Sequence, residues 1–553
     1  MNHLYYGDNL KVMERMPLAC VDLIYLDPPF KSDQNYNLLY RTLTGKPVPE
    51  QAQAFCDTWD MDAEKEKLAK TMPVLMREKG VSDYYVEFWR LWVQALRHTQ
   101  PHLMAYLIYM VQRLLYMKTL LRPTGALYLH CDPTASHYIK VMMDGIFGHE
   151  NFRNEIIWKR VSAHLNTKRW GPVHDVLLFY SKSDKFKWNR IDQPYDDKYL
   201  ETKYRYEDER GKYRLTDLTG AGWTGGDSGK DWRGFSVEAV GRHWAVPKDE
   251  VIAIVGETVA ATMSTQEKLD LLDQHHYIYW TPKGKRGGVG FPQFKRCLTG
   301  GVPVQDIISD ISPVNSQAKE RLGYPTQKPI PLLKRIIESS SDRGDVVFDP
   351  FCGCGTTIYA AQETQRNWIG CDIAILAIKL MREILKERYK LTEGKSFVVD
   401  GIPASVEQAE ELFHRDPFQF QHWAVERVGG FPTQKKTADK GIDGRLYFET
   451  KKTLVSMVLS VKGGMIRPTD IRDLRGVLDR EKGAALAGFI TLKETTKAMR
   501  EEAGSAGMYE YAGNSYPKIQ LLTIREIVED KREFMTPTKV GSRIATGQGL
   551  LGL

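Results

Sequence analysis

Residues 345–373 read DVVFDPFCGCGTTIYAAQETQRNWIGCDI. The apolar run Val346 to Phe348 has the β-branched and aromatic character of a buried strand. It passes through Asp349, Pro350 and Phe351 into a tight glycine loop, Gly353-Cys354-Gly355. Thr356 and Thr357 then open a helix, and a second strand ends in Asp372. In a doubly wound sheet a ligand lies beyond the carboxyl ends of the strands, and glycine lets the backbone approach it closely because no side chain intervenes. An acidic residue about twenty positions further on can accept hydrogen bonds from ribose hydroxyls. A glycine pair alone marks no more than a strand-to-helix turn. Strand, loop, helix and acidic strand end together point to a nucleoside-containing cofactor.

The same texture recurs outward from this stretch. VDLIYLDP at 21–28 and GALYLHCD at 125–132 are strand-like runs followed by polar turns and helical patterns, which predicts an α/β fold with a parallel, doubly wound sheet. With 553 residues the chain exceeds one ordinary core, so about two or three domains are expected. Between Lys187 and Asp310 the sequence turns rich in Gly, Trp, Arg and Lys without clean periodicity, and residues 187–310 read as an inserted, largely non-sheet lobe. A composition of 42% hydrophobic and 27% charged residues is that of a soluble globular protein, and the net charge of +7 mildly favours a polyanionic partner. The start MNHLYYGDNL lacks the features of a signal peptide, so a cytoplasmic address is the default expectation. The long apolar region Leu103 to Leu121 is interrupted by Gln112, Arg113 and Lys118, and reads as a buried helix rather than a membrane span. Seven scattered cysteines suggest no disulfide framework, and Cys352, Cys354 and Cys371 read as small packed residues rather than metal ligands.

The stretch VDLIYLDPPF at 21–30 raises a separate question. Pro28 and Pro29 cannot donate backbone hydrogen bonds and hold the chain extended just past the strand, turning the Asp27 side chain and bare carbonyls outward. Alone, this is a strand-ending turn. Paired with DPFCGCGTT it resembles the two core motifs of amino-group DNA methyltransferases, in the order of the beta class, where the catalytic turn precedes the cofactor loop and the variable lobe lies between them. YYGDNLKVMERM at 5–16, GALYLHCDPTASHYIKVMMDGIFG at 125–148, FRNEIIWKR at 152–160 and ERLGYPTQKPIPLLKRII at 320–337 extend the resemblance over roughly residues 1 to 395.

The resemblance implies a Rossmann-like catalytic domain in two parts, 1–186 and 311–395, with 187–310 as the target-recognition lobe. It implies S-adenosyl-L-methionine as cofactor, bound by Asp8, Lys328, Asp349, Pro350, Phe351, Gly353, Gly355, Thr356 and Asp372. The catalytic set would be Asp27, Pro28, Pro29 and Phe30. An exocyclic amine is a weak nucleophile because its lone pair is delocalised into the ring. Asp27 and the Pro28 carbonyl can each accept an amine hydrogen, while Phe30 stacks on a base swung out of double-stranded DNA. Relatives acting on cytosine N4 more often carry Ser where Asp27 stands, which favours adenine N6 and leaves cytosine N4 as the alternative. A protein glutamine methyltransferase fits less well, since it would have Asn before the prolines and the turn after the cofactor loop.

Within the lobe, Trp232, Arg233, Arg242 and Lys295 are candidates for DNA contact, against the alternative that such tryptophans form the lobe's own core. A homodimer is a further expectation, and a membrane partner is not expected. After a linker at 396–415, residues 416–535 resemble the restriction-endonuclease-like (Mrr-like) fold, and 536–553 read as a flexible tail. This second resemblance implies Glu426 on a helix, Asp443 on one strand and Lys462 on the next, with Asp443 holding Mg²⁺. Ser460 departs from the Glu or Gln expected two residues before the lysine, and Ser is a poor Mg²⁺ ligand. The domain is therefore expected either to grip DNA for the methyltransferase or, in a single-chain restriction-modification enzyme, to cut it.

Overall fold

Central strands buried on both faces read as near-continuous apolar runs, and two such runs meet at the middle of the main sheet. A computed structural model describes residues 2–29, 59, 61–161, 168, 170–281, 292–298, 300–315, 322, 327–433, 441–450, 454–537, 543–546 and 549–552. The chain divides into two units, Met1–Asn189 with Gln305–Leu553, and Arg190–Val304.

In the first unit the strands are β1 (Asn2–Tyr6), β2 (Val21–Leu26), β3 (Leu121–Cys131), β4 (Phe152–Lys159), β5 (His174–Ser181), β6 (Ile307–Ile308), β7 (Val346–Asp349), β8 (Asn367–Asp372) and β9 (Phe397–Asp400). They form one sheet in the order β6-β4-β5-β3-β2-β7-β8-β1-β9. Neighbours run parallel except around β5, which is antiparallel to both β3 and β4. All residues of β2 are buried, and β7 lies beside it in parallel with Val347 opposite Leu23 and Phe348 opposite Ile24. That register brings Asp27 and the 349–355 loop out of the same sheet end as neighbours.

The helices that bear on this sheet end are α1 (Asn9–Met13), α2 (Pro101–Leu120), α3 (Ile330–Ser340), α4 (Thr356–Glu363) and α5 (Ile375–Glu387). The expected buried helix over 103–121 is α2, starting on Pro101, with Arg113 only 4% exposed among its apolar residues. No described helix is long and apolar enough to cross a membrane.

Residues 396–415 are not a linker. The β-branched run ending in Asp400 pairs in parallel with β1, Asn2 opposite Phe397 and Tyr5 opposite Asp400, so β9 closes the sheet edge. Two helices follow, α6 (Val406–Arg415) and α7 (Pro417–Arg427). Beyond them stand β10 (Phe431–Pro432), β11 (Gly444–Glu449), β12 (Leu454–Lys462), β13 (Ala484–Thr491) and β14 (Ile519–Thr523), which form a five-stranded sheet in chain order. Its first three strands are antiparallel and its last two join in parallel, with α8 (Pro468–Arg480) and α9 (Lys497–Gly504) as crossovers. The tail carries two short paired strands, Arg543–Thr546 and Gly549–Gly552, where a loose segment is expected from its composition.

The unit Arg190–Val304 corrects the expectation of a non-sheet lobe. Ile278–Trp280, Pro292–Cys297, Gly211–Asp217 and Tyr206–Asp208 form a four-stranded antiparallel sheet. Two of these strands are three residues long, too short to leave an alternating signature. The unit has its own core, in which Trp232, Trp244, Leu269, Leu272 and Phe294 are buried.

Of the four residues expected to contact DNA, Trp232 belongs to that core. Trp232 is 3% exposed, stacks 5.5 Å from Trp280, and donates its indole N–H to Asp270 at 3.1 Å. Arg233, in the left-handed region at φ +46°, is held by ion pairs to Asp270 and Asp273. Arg242 donates to the Thr219 carbonyl at 2.9 Å, and Lys295 pairs with Asp208 at 3.2 Å. Trp232 is buried in the framework of this unit, whereas Arg233 is exposed and pairs with carboxylates of the same unit. Trp232→Ala should therefore destabilise this unit by about 3–5 kcal/mol, the usual loss on truncating a buried tryptophan. Limited proteolysis with mass-spectrometric mapping should show new cleavage confined to residues 190–304.

Candidate functional site

The site is built where β2 and β7 end. Past β7, Asp349 is 3% exposed and organises the loop: Oδ1 accepts from the Phe351 N–H at 2.9 Å and Oδ2 from the Thr357 hydroxyl at 2.5 Å. Burial pushes its carboxyl up to about 7, against the pull of those two donors. Gly353 and Gly355 have φ of +50° and +88°, a region that side-chain-bearing residues avoid. Thr356, the first residue of α4, is buried beneath the loop. At the end of β8, Asp372 accepts from the Gly353 N–H through Oδ2 and from the Ala374 N–H through Oδ1, each at 2.8 Å. One carboxylate thereby ties the glycine loop to the turn that starts α5.

The segment after β1 locks onto the same loop. Asn9 donates to the Pro350 carbonyl at 2.9 Å and accepts from Arg113 Nε at 2.7 Å. Arg113 also bonds both oxygens of Asp8 at 3.1 Å and lies over the Tyr109 ring at 3.4 Å, while Tyr109 sits 6.3 Å from the Phe351 ring. Asp8 further caps α1 by accepting from the Leu10 N–H at 2.7 Å. Arg113 and Asn9 belong to the site although their role is not apparent from the motifs. The available signal is an arginine inside an otherwise apolar buried helix, since a buried charge requires partners.

Past β2, Asp27 carries an ion pair with Lys328, their side chains being 16% and 12% exposed. Pro28 is buried and Pro29 partly so; Phe30 lies outside the described residues. Directly behind Asp27 is a buried array. The Tyr25 hydroxyl is 2.9 Å from His130 Nδ1, His130 Nε2 is 3.1 Å from Asp175, and Arg160 is 3.5 Å from Asp175. Burial, then Lys328, lowers the His130 pKa, favouring the neutral ring, while His130 helps hold the Asp175 carboxyl below its ordinary value despite burial. With Asp175 ionised, Nε2–H donates to it and Nδ1 accepts from Tyr25.

In the C-terminal part, Asp443 accepts from the Val461 N–H at 2.7 Å, and Lys462 is exposed at the end of the neighbouring strand. Glu426 departs from its expected role as a metal ligand. Its Oε2 accepts from the Tyr6 hydroxyl at 3.1 Å, in the main sheet. Burial raises its carboxyl, opposed by Tyr6, by Lys379 and by the backbone N–H of Ile375. Ser460 is 7% exposed where a ligand would stand, and no three His, Cys, Asp or Glu side chains among the described residues gather to hold a metal ion. The residues do not fit a Mg²⁺ centre.

Type II methyltransferase M.EcaI from Enterobacter cloacae is 31% identical over 311 residues, covering 56% of this chain and 62% of the relative. The StyLTI Mod subunit, a type III restriction-modification enzyme from Salmonella typhimurium, is 25% identical over 389 residues, covering 66% of this chain and 51% of the relative. The chain thus spans between half and two thirds of these relatives. Among solved structures, the M1.HpyAVI–SAM complex is 14% identical with a TM-score of 0.29, covering 70% of this chain and all of the other (100%). The cytosine-N4-specific PvuII DNA methyltransferase is 11% identical with a TM-score of 0.33, covering 72% and 95%. The family model described as DNA methylase, for N6 and N4 enzymes, matches residues 21–383, well over half of the chain, and the protein belongs to that family.

Proposed function

We propose that the chain transfers a methyl group to adenine N6 in duplex DNA, on a base turned out of the helix. The observation that carries this reading is the placement of Asp27 at the end of β2, in register beside the glycine loop of β7. Gly353 and Gly355 in the left-handed region and the Asp349–Thr357 bond shape the glycine loop, and Asp372 stands at the strand end where ribose hydroxyls would bind. S-adenosyl-L-methionine, when bound there, supplies the methyl group. Asp27 accepts one hydrogen of the amine and the Pro28 carbonyl the other, drawing the lone pair back onto nitrogen. As positive charge grows on that nitrogen, the Asp27 carboxylate stabilises it. Lys328 holds Asp27 at Oδ2 and so fixes the direction of the carboxylate. The Tyr25–His130–Asp175 array supports the strand end from behind, where a neutral imidazole adds no charge to compete with Asp27.

The topology of the C-terminal part, three antiparallel strands and then a crossover helix to a parallel strand, supports a restriction-endonuclease-like fold. Ser460 and the position of Glu426 weigh against cutting, and we assign the domain to DNA grip and to the methyltransferase itself.

Asp27→Ala should abolish methylation while S-adenosylmethionine affinity stays within about threefold. Digestion of DNA methylated by the wild-type chain, with mass spectrometry of the nucleosides, should give N6-methyl-2′-deoxyadenosine; N4-methyl-2′-deoxycytidine would reassign the base and keep the mechanism. Gly353→Val forces a branched residue into the left-handed region and should block cofactor binding, and Asp372→Ala should cost about 2–4 kcal/mol of affinity. Titration calorimetry measures both; wild-type affinity in the two variants would move the cofactor elsewhere.

Asp349 also makes a pH prediction. Its carboxyl is raised from 3.8 to about 7, so between these values the folded state holds a proton that the unfolded chain has released. Its contribution to stability is complete below 3.8 and fades as pH rises toward about 7. Asp349→Asn should flatten the decline of melting temperature across that window.

A further inference from the structure

The end of β1 is gripped by a helix from the other end of the sequence. Gln419 Nε2, on α7, donates to the Tyr6 carbonyl at 3.1 Å, and the Tyr6 hydroxyl donates to Glu426 at 3.1 Å, two turns further along the same helix. Gly7 lies so close that a Cβ there would come within 2.8 Å of the Gln419 amide. Tyr6 is opposite Asp372 in the β1–β8 ladder, and the Gly7 N–H donates to the Asp372 carbonyl at 2.9 Å. Asp372 is the residue whose carboxylate holds Gly353 and Ala374. Helix α5 begins with no capping side chain of its own, Ala374 standing at its N-cap, and the N–H of Ile375 in its first turn faces the Glu426 carboxylate. Glu426 thus spans β1 and the first turn of α5, the two elements on either side of Asp372.

We infer that α7 of the C-terminal part is a wall of the cofactor site, with Tyr6 and Glu426 acting as positioning residues that hold the Asp372 turn in its binding conformation. The inference rests on the cofactor reading above. It makes the C-terminal part a requirement for cofactor affinity in addition to its proposed role in DNA grip. The physical reason is preorganisation: a turn held at both ends loses less freedom when the cofactor binds. Neither residue touches the reacting amine, so the effect should fall on cofactor binding and not on the chemical step.

The test uses the full-length chain with S-adenosyl-L-methionine as the probe, in calorimetry and in steady-state methylation of unmethylated DNA. Tyr6→Phe removes only the hydroxyl, Glu426→Leu removes the carboxyl group, and Glu426→Gln keeps one carbonyl acceptor in a side chain of the same shape. Tyr6→Phe and Glu426→Leu should each raise the Kd and KM for the cofactor about tenfold, the worth of one good hydrogen bond. They should leave kcat at saturating cofactor and the KM for DNA within about twofold. Glu426→Gln should restore most of the affinity. A general structural role would instead lower kcat and melting temperature and raise both KM values together. Should Glu426→Leu fail to fold, Tyr6→Phe decides alone, because phenylalanine fills the same buried space. Wild-type binding with unchanged affinity in Tyr6→Phe overturns the inference and leaves the cofactor reading intact; a wild-type chain that binds no S-adenosylmethionine overturns both.

Discussion

The parallel pairing of β2 with β7 is the constraint from which the rest of the site follows. Two strands separated by more than three hundred residues lie side by side in register, Val347 against Leu23 and Phe348 against Ile24. Because both point the same way, the loops that leave them share one end of the sheet. The acidic turn and the glycine loop are neighbours by virtue of sheet geometry, and no loop has to reach across the molecule. Slippage of the pairing by one residue would turn every side chain of β2 to the opposite face. The burial of β2 on both faces, with Asp22 at its start bound to Arg122 and to the Val346 N–H, opposes such slippage.

Around that pair the polar groups are organised by buried ions. Arg113 lies in an apolar helix yet binds Asp8, Asn9 and the Tyr109 face, and through Asn9 it reaches the Pro350 carbonyl. Removing one partner of such a cluster leaves another uncompensated in a dry setting, which costs more than the contact itself is worth. The arrangement favours one geometry of the loop over many of similar energy. Asp349 works by another route: deeply buried, it is held by a hydroxyl and a backbone N–H in place of a cation.

The strands and loops of the catalytic part are legible in the sequence because their residues obey local rules. The apolar run before Asp349, the glycines with positive φ and the prolines after Asp27 each announce a conformation that few other residues would choose. The lobe is less legible because its sheet is made of strands too short to alternate, and Trp232 has the same composition signature whether it stacks on a base or on Trp280. The strand Phe397–Asp400 is hidden because its partner is the first strand of the chain, and sequence proximity says nothing of that pairing. Glu426 occupies the helix position expected of a nuclease ligand, but a carboxylate's partner is set by what the folded chain brings to it, here Tyr6.

The inserted unit starts and finishes through a neck of its own making. Asp192–Gln193 pairs antiparallel with Val302–Pro303, and the Val304 N–H donates to the Ile191 carbonyl at 3.0 Å. The two ends of a segment of over a hundred residues are thereby zipped together, so closing β2 onto β7 does not depend on how long that segment is. Evolution can lengthen, shorten or replace what lies beyond the neck as a cassette, and the nine strands keep their register.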